Sequence, residues 1–155
     1  MPRLQIALDT YDLPSALAPL ATAVDQIDII ECGTILVLAE GMDAVRAIRA
    51  AYPDKTILAD VRIAEAGAKI ARMCFEAGAD LVSCVAGASL TTIDQVCKVA
   101  GEFGGEVQVE LADEWFDGSG PAPGARPESS TSSSSGPATA RRPATSRGSR
   151  KTSTA

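Results

Sequence analysis

Along residues 4–111, short apolar runs rich in Ile, Leu and Val alternate with longer stretches of helical period. The runs are Leu4–Leu8, Ile27–Ile30, Thr56–Ala59, Leu81–Val85 and Val107–Leu111, and between them lie Leu13–Val24, Met42–Ala51, Ala66–Ala77 and Leu90–Phe103. A strand followed by a helix, four times over and then a fifth strand, is the signature of a parallel sheet in an α/β fold. The strand segments are continuously apolar rather than alternating, which predicts a sheet covered on both faces or closed on itself. Asp12 stands where it can cap the first helix, Pro19 interrupts that helix, and Gly78 and Gly104 follow the third and fourth helices as stops.

The pattern ends after Trp115. Asp117–Ala155 holds no Ile, Leu, Val, Met, Phe, Tyr or Trp and consists almost wholly of Ser, Thr, Ala, Gly, Pro and Arg. Such a stretch buries too little apolar area to offset its conformational entropy. The expected organisation is therefore a folded region at 1–115 and a disordered Ser/Pro/Arg-rich tail at 116–155. The tail's residue types are all encoded by GC-rich codons, as when a GC-rich gene is read out of frame. Back-translating Ala122–Gly148 in a shifted frame permits a helix followed by an apolar strand, so the tail is expected to be out-of-frame translation with the break near Asp117–Pro121.

Charge divides the chain at the same place. Of 14 Lys and Arg and 20 Asp and Glu in all, residues 116–155 hold six basic and two acidic residues, which leaves the first 115 strongly acidic. That balance argues against a nucleic-acid surface and suits a metal site built from carboxylates. No apolar run approaches the roughly 20 residues that span a bilayer, so no membrane partner is expected. Cys32, Cys74, Cys84 and Cys97 form no C-x-x-C pair and no signal-like segment follows Met1, which predicts a reduced, cytoplasmic protein. The absence of histidine removes Ser-His-Asp and Cys-His nucleophile chemistry. Chemistry must run on carboxylates, Arg, Lys or backbone.

Four of the five strands finish with a carboxylate: Asp9, Glu31, Asp60 and Glu110. In parallel β/α proteins ligands bind at the carboxyl ends of the strands, so these four should converge on one rim. Mutual repulsion there is relieved by a hard cation, and Mg2+ held by one or two carboxylates plus substrate oxygens is the expected cofactor. The plainer alternative makes each acid a turn residue or a helix cap. In Leu58-Ala59-Asp60-Val61-Arg62-Ile63-Ala64-Glu65-Ala66-Gly67, strand alternation would point Asp60 and Arg62 the same way, with Glu65 opening the next helix. An Asp60–Arg62 surface ion pair is the bland reading of that spacing.

The stretches Gln5–Asp9, Ile29–Thr34, Leu58–Gly67, Arg72–Asp80 and Val107–Leu111 together resemble the 3-keto-L-gulonate 6-phosphate decarboxylases, relatives of orotidine 5'-monophosphate decarboxylase, in unbroken order as far as Trp115. Hexulose-6-phosphate synthases, which are aldolases, share the D-x-K-x-x-D-A-G signature. The Ile-Ile-Glu-x-Gly-Thr and Arg-Met-Cys-Phe-Glu-Ala blocks favour the gulonate branch.

The resemblance implies a partial (β/α)8 TIM barrel of about four β-α units plus a fifth strand. It implies Mg2+ at Glu31 and Asp60, a substrate pocket lined by Asp9, Glu31 and Glu110, and catalytic roles for Asp60, Arg62 and Glu65. Glu65 would reach a partner's site across a homodimer. The reaction implied is loss of carbon dioxide from a sugar-acid phosphate through an enediolate. Two residues depart from the pattern: Arg62 stands where the family has lysine and Glu65 where it has aspartate. Arginine can stabilise charge but does not give up a proton near neutral pH as a tuned lysine does. The phosphate-binding loops after strands seven and eight, and the His and Arg after strand six, have no counterpart here. A closed barrel of this kind takes roughly 250 residues. The chain as written is therefore expected to be inactive and poorly soluble. The alternatives are the aldolase chemistry and a non-catalytic half-barrel that binds a partner.

Overall fold

Five strands lie side by side in chain order in one parallel sheet: β1 (Gln5–Leu8), β2 (Ile29–Cys32), β3 (Thr56–Ile63), β4 (Leu81–Val85) and β5 (Glu106–Glu110). The computed structural model describes residues 2–111. The expected tail, its frame break and the boundary at residue 115 lie outside the described residues. Each return from one strand to the next is helical: α1 (Leu13–Ala23), α2 (Thr34–Glu40) with α3 (Met42–Ala51), α4 (Gly67–Glu76) and α5 (Leu90–Phe103).

Strand alternation sorts the apolar residues into two layers. On the helix-covered face Ile30, Ile57, Ala59, Val82 and Cys84 pack with Leu20, Leu36, Val45, Ile48, Ala71, Cys74, Val96 and Val99 in one buried core. Burying each large aliphatic side chain contributes roughly 1.5–3 kcal/mol. The other face carries a small cluster of Ile29, Leu58 and Leu81. A parallel sheet with helices on one face and a small apolar cluster on the other is the arrangement of a partial β/α barrel, whose uncovered face is its interior.

The predicted caps are formed. Asp12 Oδ1 accepts from the Ser15 amide at 2.8 Å, and α1 runs through Pro19 before closing in a 3-10 turn at Val24–Gln26. Ser89 caps α5, which stops at Gly104 in the left-handed region (φ 69°). One helix was not anticipated: α2 follows β2 directly, and Gly41 (φ 65°) separates it from α3. Its sequence, TILVLAE, is too short and too apolar for a helical period to be told from a strand. β3 also runs four residues past its predicted end at Ala59, through an irregularity described below.

At the end of the sheet away from the predicted rim, the half-buried Arg49 of α3 joins two turns. Its Nε donates to the Gly78 carbonyl and its Nη1 to the carbonyls of Pro53 and Lys55, all at 2.9 Å. Its Nη2 pairs with the Asp80 carboxylate, which also accepts from the Ile57 amide at 2.7 Å.

All four cysteines are free thiols. Burial pushes those of Cys32 and Cys74 up to about 12. No described helix is long and apolar enough to cross a membrane.

Candidate functional site

β1, β2 and β3 pair in a register that sets Ala7, Glu31 and Leu58 level with one another. Asp60 lies two residues beyond Leu58 on β3, so Glu31 and Asp60 rise from the same face of the sheet, above the Ile29–Leu58–Leu81 layer. Burial raises the Glu31 pKa, the hydrogen bond from Gln5 Nε2 at 2.6 Å opposes the rise, and the charges of Asp60 and Asp9 add to it. The three predicted acids therefore feel one another across a common space.

Asp9 serves the backbone as well. Its Oδ1 lies 3.4 Å from the Ile35 amide in the first turn of α2. A Cβ on Gly33 would stand 2.2 Å from that oxygen and 2.8 Å from the Leu8 carbonyl oxygen, so the close approach requires residue 33 to have no side chain. The helix-cap alternative thus holds for Asp9 in part, and it is the neighbouring β-α unit, not its own, that Asp9 caps.

Asp60 is buried and its carboxylate is held from several sides. Thr34 Oγ1 donates to Oδ2 and Ser83 Oγ donates to Oδ1 at 2.7 Å. Burial alone would raise its pKa. Hydrogen bonds from Glu110, Thr34 and Ser83, with the Arg62 charge beside them, outweigh burial and lower it. Glu110 moves the other way, raised first by burial and then by its hydrogen bond to Asp60 and that residue's charge, while the Arg62 charge offsets part of the rise. Two carboxylates that share a site separate in this manner, the better-supported one lowered and its neighbour raised.

Arg62 Nη2 lies 2.8 Å from Glu110 Oε2, so the guanidinium reaches across β4 to the end of β5. The predicted surface pair with Asp60 is not the ion pair formed. Nor does simple alternation place Arg62. Ala59 is level with Val82 and Ile63 with Cys84, so the register shifts at Asp60–Arg62, and Arg62 has φ 47° in the left-handed region. Arg62 is exposed, and so is Glu65 in the loop that leads to α4.

The rim thus brings together Asp9, Glu31, Asp60, Arg62 and Glu110 and leaves Glu65 at its outer edge. Sequence reasoning missed Ser83 and Thr34. The signal for Ser83 was available: it is a lone polar residue in the middle of the otherwise apolar run Leu81–Val85.

Glu31 and Asp60 are the pair that could hold a divalent cation. No group of three or more acidic or Cys side chains among the described residues is arranged to hold a metal by itself. Mg2+ does not need one, because it takes one or two carboxylates and completes its shell with water and substrate oxygens.

A family model described as "Orotidine 5'-phosphate decarboxylase / HUMPS family" matches residues 2–115. The chain belongs to this family. It is 46% identical over 115 residues to the 3-keto-L-gulonate-6-phosphate decarboxylase UlaD of Escherichia coli (strain K12 / DH10B), a match that covers 74% of this chain and 53% of that protein. Among solved structures, the 3-keto-L-gulonate-6-phosphate decarboxylase of Vibrio cholerae is similar with a TM-score of 0.71 and 42% identity, covering 74% of this chain and 53% of that one. The 3-hexulose-6-phosphate synthase of Salmonella typhimurium is similar with a TM-score of 0.68 and 39% identity, covering 70% and 51%. The chain spans about half the length of the curated relatives it matches.

Proposed function

We propose that this chain carries the carboxylate half of a decarboxylase site that acts, in a complete barrel, on 3-keto-L-gulonate 6-phosphate or a close sugar-acid phosphate. The observation that carries the reading is the convergence of Glu31, Asp60 and Glu110 on one face, with Asp60 supported as an anion by Thr34 and Ser83.

Glu31 and Asp60 would hold Mg2+. When bound, the cation supplies Lewis-acid stabilisation of negative charge on substrate oxygen. The chain's own residues do the rest of what can be assigned. Asp9, Glu31 and Glu110 line the pocket and orient the substrate's hydroxyl groups. The scissile carbon–carbon bond breaks, its electron pair passes into an enediolate as carbon dioxide leaves, and the Arg62 guanidinium beside Glu110 stabilises that charge as it develops. A proton then returns to the carbon, from a donor other than Arg62. Glu65, exposed in the loop after β3, would extend into the site of a second copy in a homodimer.

The 155-residue chain alone is proposed to be inactive, because the described residues offer no glycine-rich loop or basic cluster for a phosphate. The test compares this chain with the same residues 1–115 joined to strands six to eight of a relative. Carbon dioxide release from 3-keto-L-gulonate 6-phosphate is expected only from the fusion, only with Mg2+, and not after Asp60→Asn. A fusion that folds as a barrel yet releases none would overturn the reading. The similarity to a hexulose-phosphate synthase supports aldolase chemistry as a second reading, which formaldehyde-dependent turnover by the same fusion would establish instead.

A further inference from the structure

We propose that Ser83 is the positioning residue of this rim, whose single hydroxyl both closes the irregularity in β3 and fixes the direction of the Asp60 carboxylate. The part that concerns a cation rests on the reading above.

The register carries the argument. Between the Ala59–Val82 and Ile63–Cys84 pairs, three residues of β3 stand against one residue of β4. Surplus residues of this kind leave ladder groups without a strand partner and re-aim side chains, which is why bulges gather beside active sites. Here the Arg62 amide, freed from the ladder, donates to Ser83 Oγ at 2.7 Å. That bond holds a non-glycine residue in the left-handed region, a conformation that persists only where its surroundings fix it.

Hydrogen-bond polarity does the second part. An amide can only donate, so the Ser83 oxygen is the acceptor in that bond and its one hydrogen is directed elsewhere. It goes to Asp60 Oδ1 at 2.7 Å. With Thr34 on Oδ2, the carboxylate is gripped on both oxygens and its plane is set before any ligand arrives. Ser83 is fully buried, so no water competes for these bonds. One side chain thereby couples the backbone that launches Arg62 toward Glu110 to the orientation of Asp60, as partners behind a metal-binding carboxylate commonly do.

The test uses the full 155-residue chain with Ser83→Ala and Ser83→Thr. Amide exchange by NMR is compared within each protein at Arg62 and at Ile57, whose amide sits on the same strand but bonds to Asp80. Ser83→Ala should speed exchange at Arg62 about tenfold relative to Ile57, and Ser83→Thr, which keeps the hydroxyl, should stay close to the parent. Mn2+ affinity, read from its paramagnetic signal, should fall about tenfold or more in Ser83→Ala and recover in Ser83→Thr. Equal acceleration at both amides, which is all a general packing role predicts, overturns the proposal. So does a Ser83→Ala protein with Arg62 still protected, or one that binds Mn2+ as the parent does. A parent chain that binds no Mn2+ while Arg62 responds as expected leaves the positioning role standing and removes the cation reading.

Discussion

The two faces of this sheet are built from the same five strands and solve opposite problems. On the helix side, Ile30, Ile57 and Val82 are fully buried among aliphatic side chains, and nothing there needs a partner beyond shape. On the other side, one apolar layer of Ile29, Leu58 and Leu81 gives way to Glu31, Asp60, Ser83 and Glu110, where nearly every contact is polar and directional. A period of two residues is enough to keep the two chemistries apart. The helix side tolerates no loss of volume, whereas the carboxylate side is held together against its own charge. Substitutions should therefore fail differently on the two faces.

The largest effect belongs to the helix side. Ile57→Ala removes a fully buried side chain from the middle of the core and should cost about 2–5 kcal/mol, read from the urea midpoint of the described region. A cost under about 1 kcal/mol would mean that this core is not packed as described. Between the faces lies Gly33, where even a methyl group would collide with Asp9 and with the Leu8 carbonyl. Gly33→Ala should cost about 1–3 kcal/mol and displace the Asp9 carboxylate from α2. A crystal structure of the variant with Asp9 unmoved would contradict that.

The smallest effect, and the most diagnostic, is on the carboxylate side. Glu31 has its pKa raised from 4.5, mainly by burial, with Asp60 and Asp9 adding to the rise. A carboxyl group with a raised folded-state pKa contributes stability that is fully present below its unfolded value and is lost as pH rises through the folded value. Glu31→Gln, which keeps an acceptor for Gln5, should therefore gain on the parent between pH 4 and pH 7. Urea midpoints of the two proteins at those pH values measure it. A difference that does not change with pH would show that Glu31 carries no electrostatic strain.

Much of this was legible from sequence, and the parts that were not have physical causes. β4 and α5 match their predicted limits, because each is a clean run bounded by turn residues. Four acids near strand ends located the rim, since parallel connectivity brings all strand ends to one side. α2 escaped because a seven-residue segment with an unbroken apolar run, following a strand directly, carries no distinguishable period. The position of Arg62 was anticipated on a wrong ground: alternation fails at the register shift, and what aims the guanidinium at Glu110 is a left-handed residue bonded to Ser83. A register shift depends on the partner strand, which no local pattern records. Glu65, expected to open the next helix, stands in the loop before it because α4 begins at Gly67, and its role in a second subunit is part of the proposal.

Arg49 has a consequence for how the opposite end of the sheet comes apart. Its one guanidinium satisfies the carbonyls of Pro53 and Lys55 in the turn before β3, and the Gly78 carbonyl and Asp80 carboxylate in the turn before β4. Opening either turn takes acceptors from the one guanidinium that also holds the other, so the two turns are expected to loosen together. A fluctuation at Tyr52–Lys55 is thereby felt at Gly78–Asp80, more than twenty residues further along the chain.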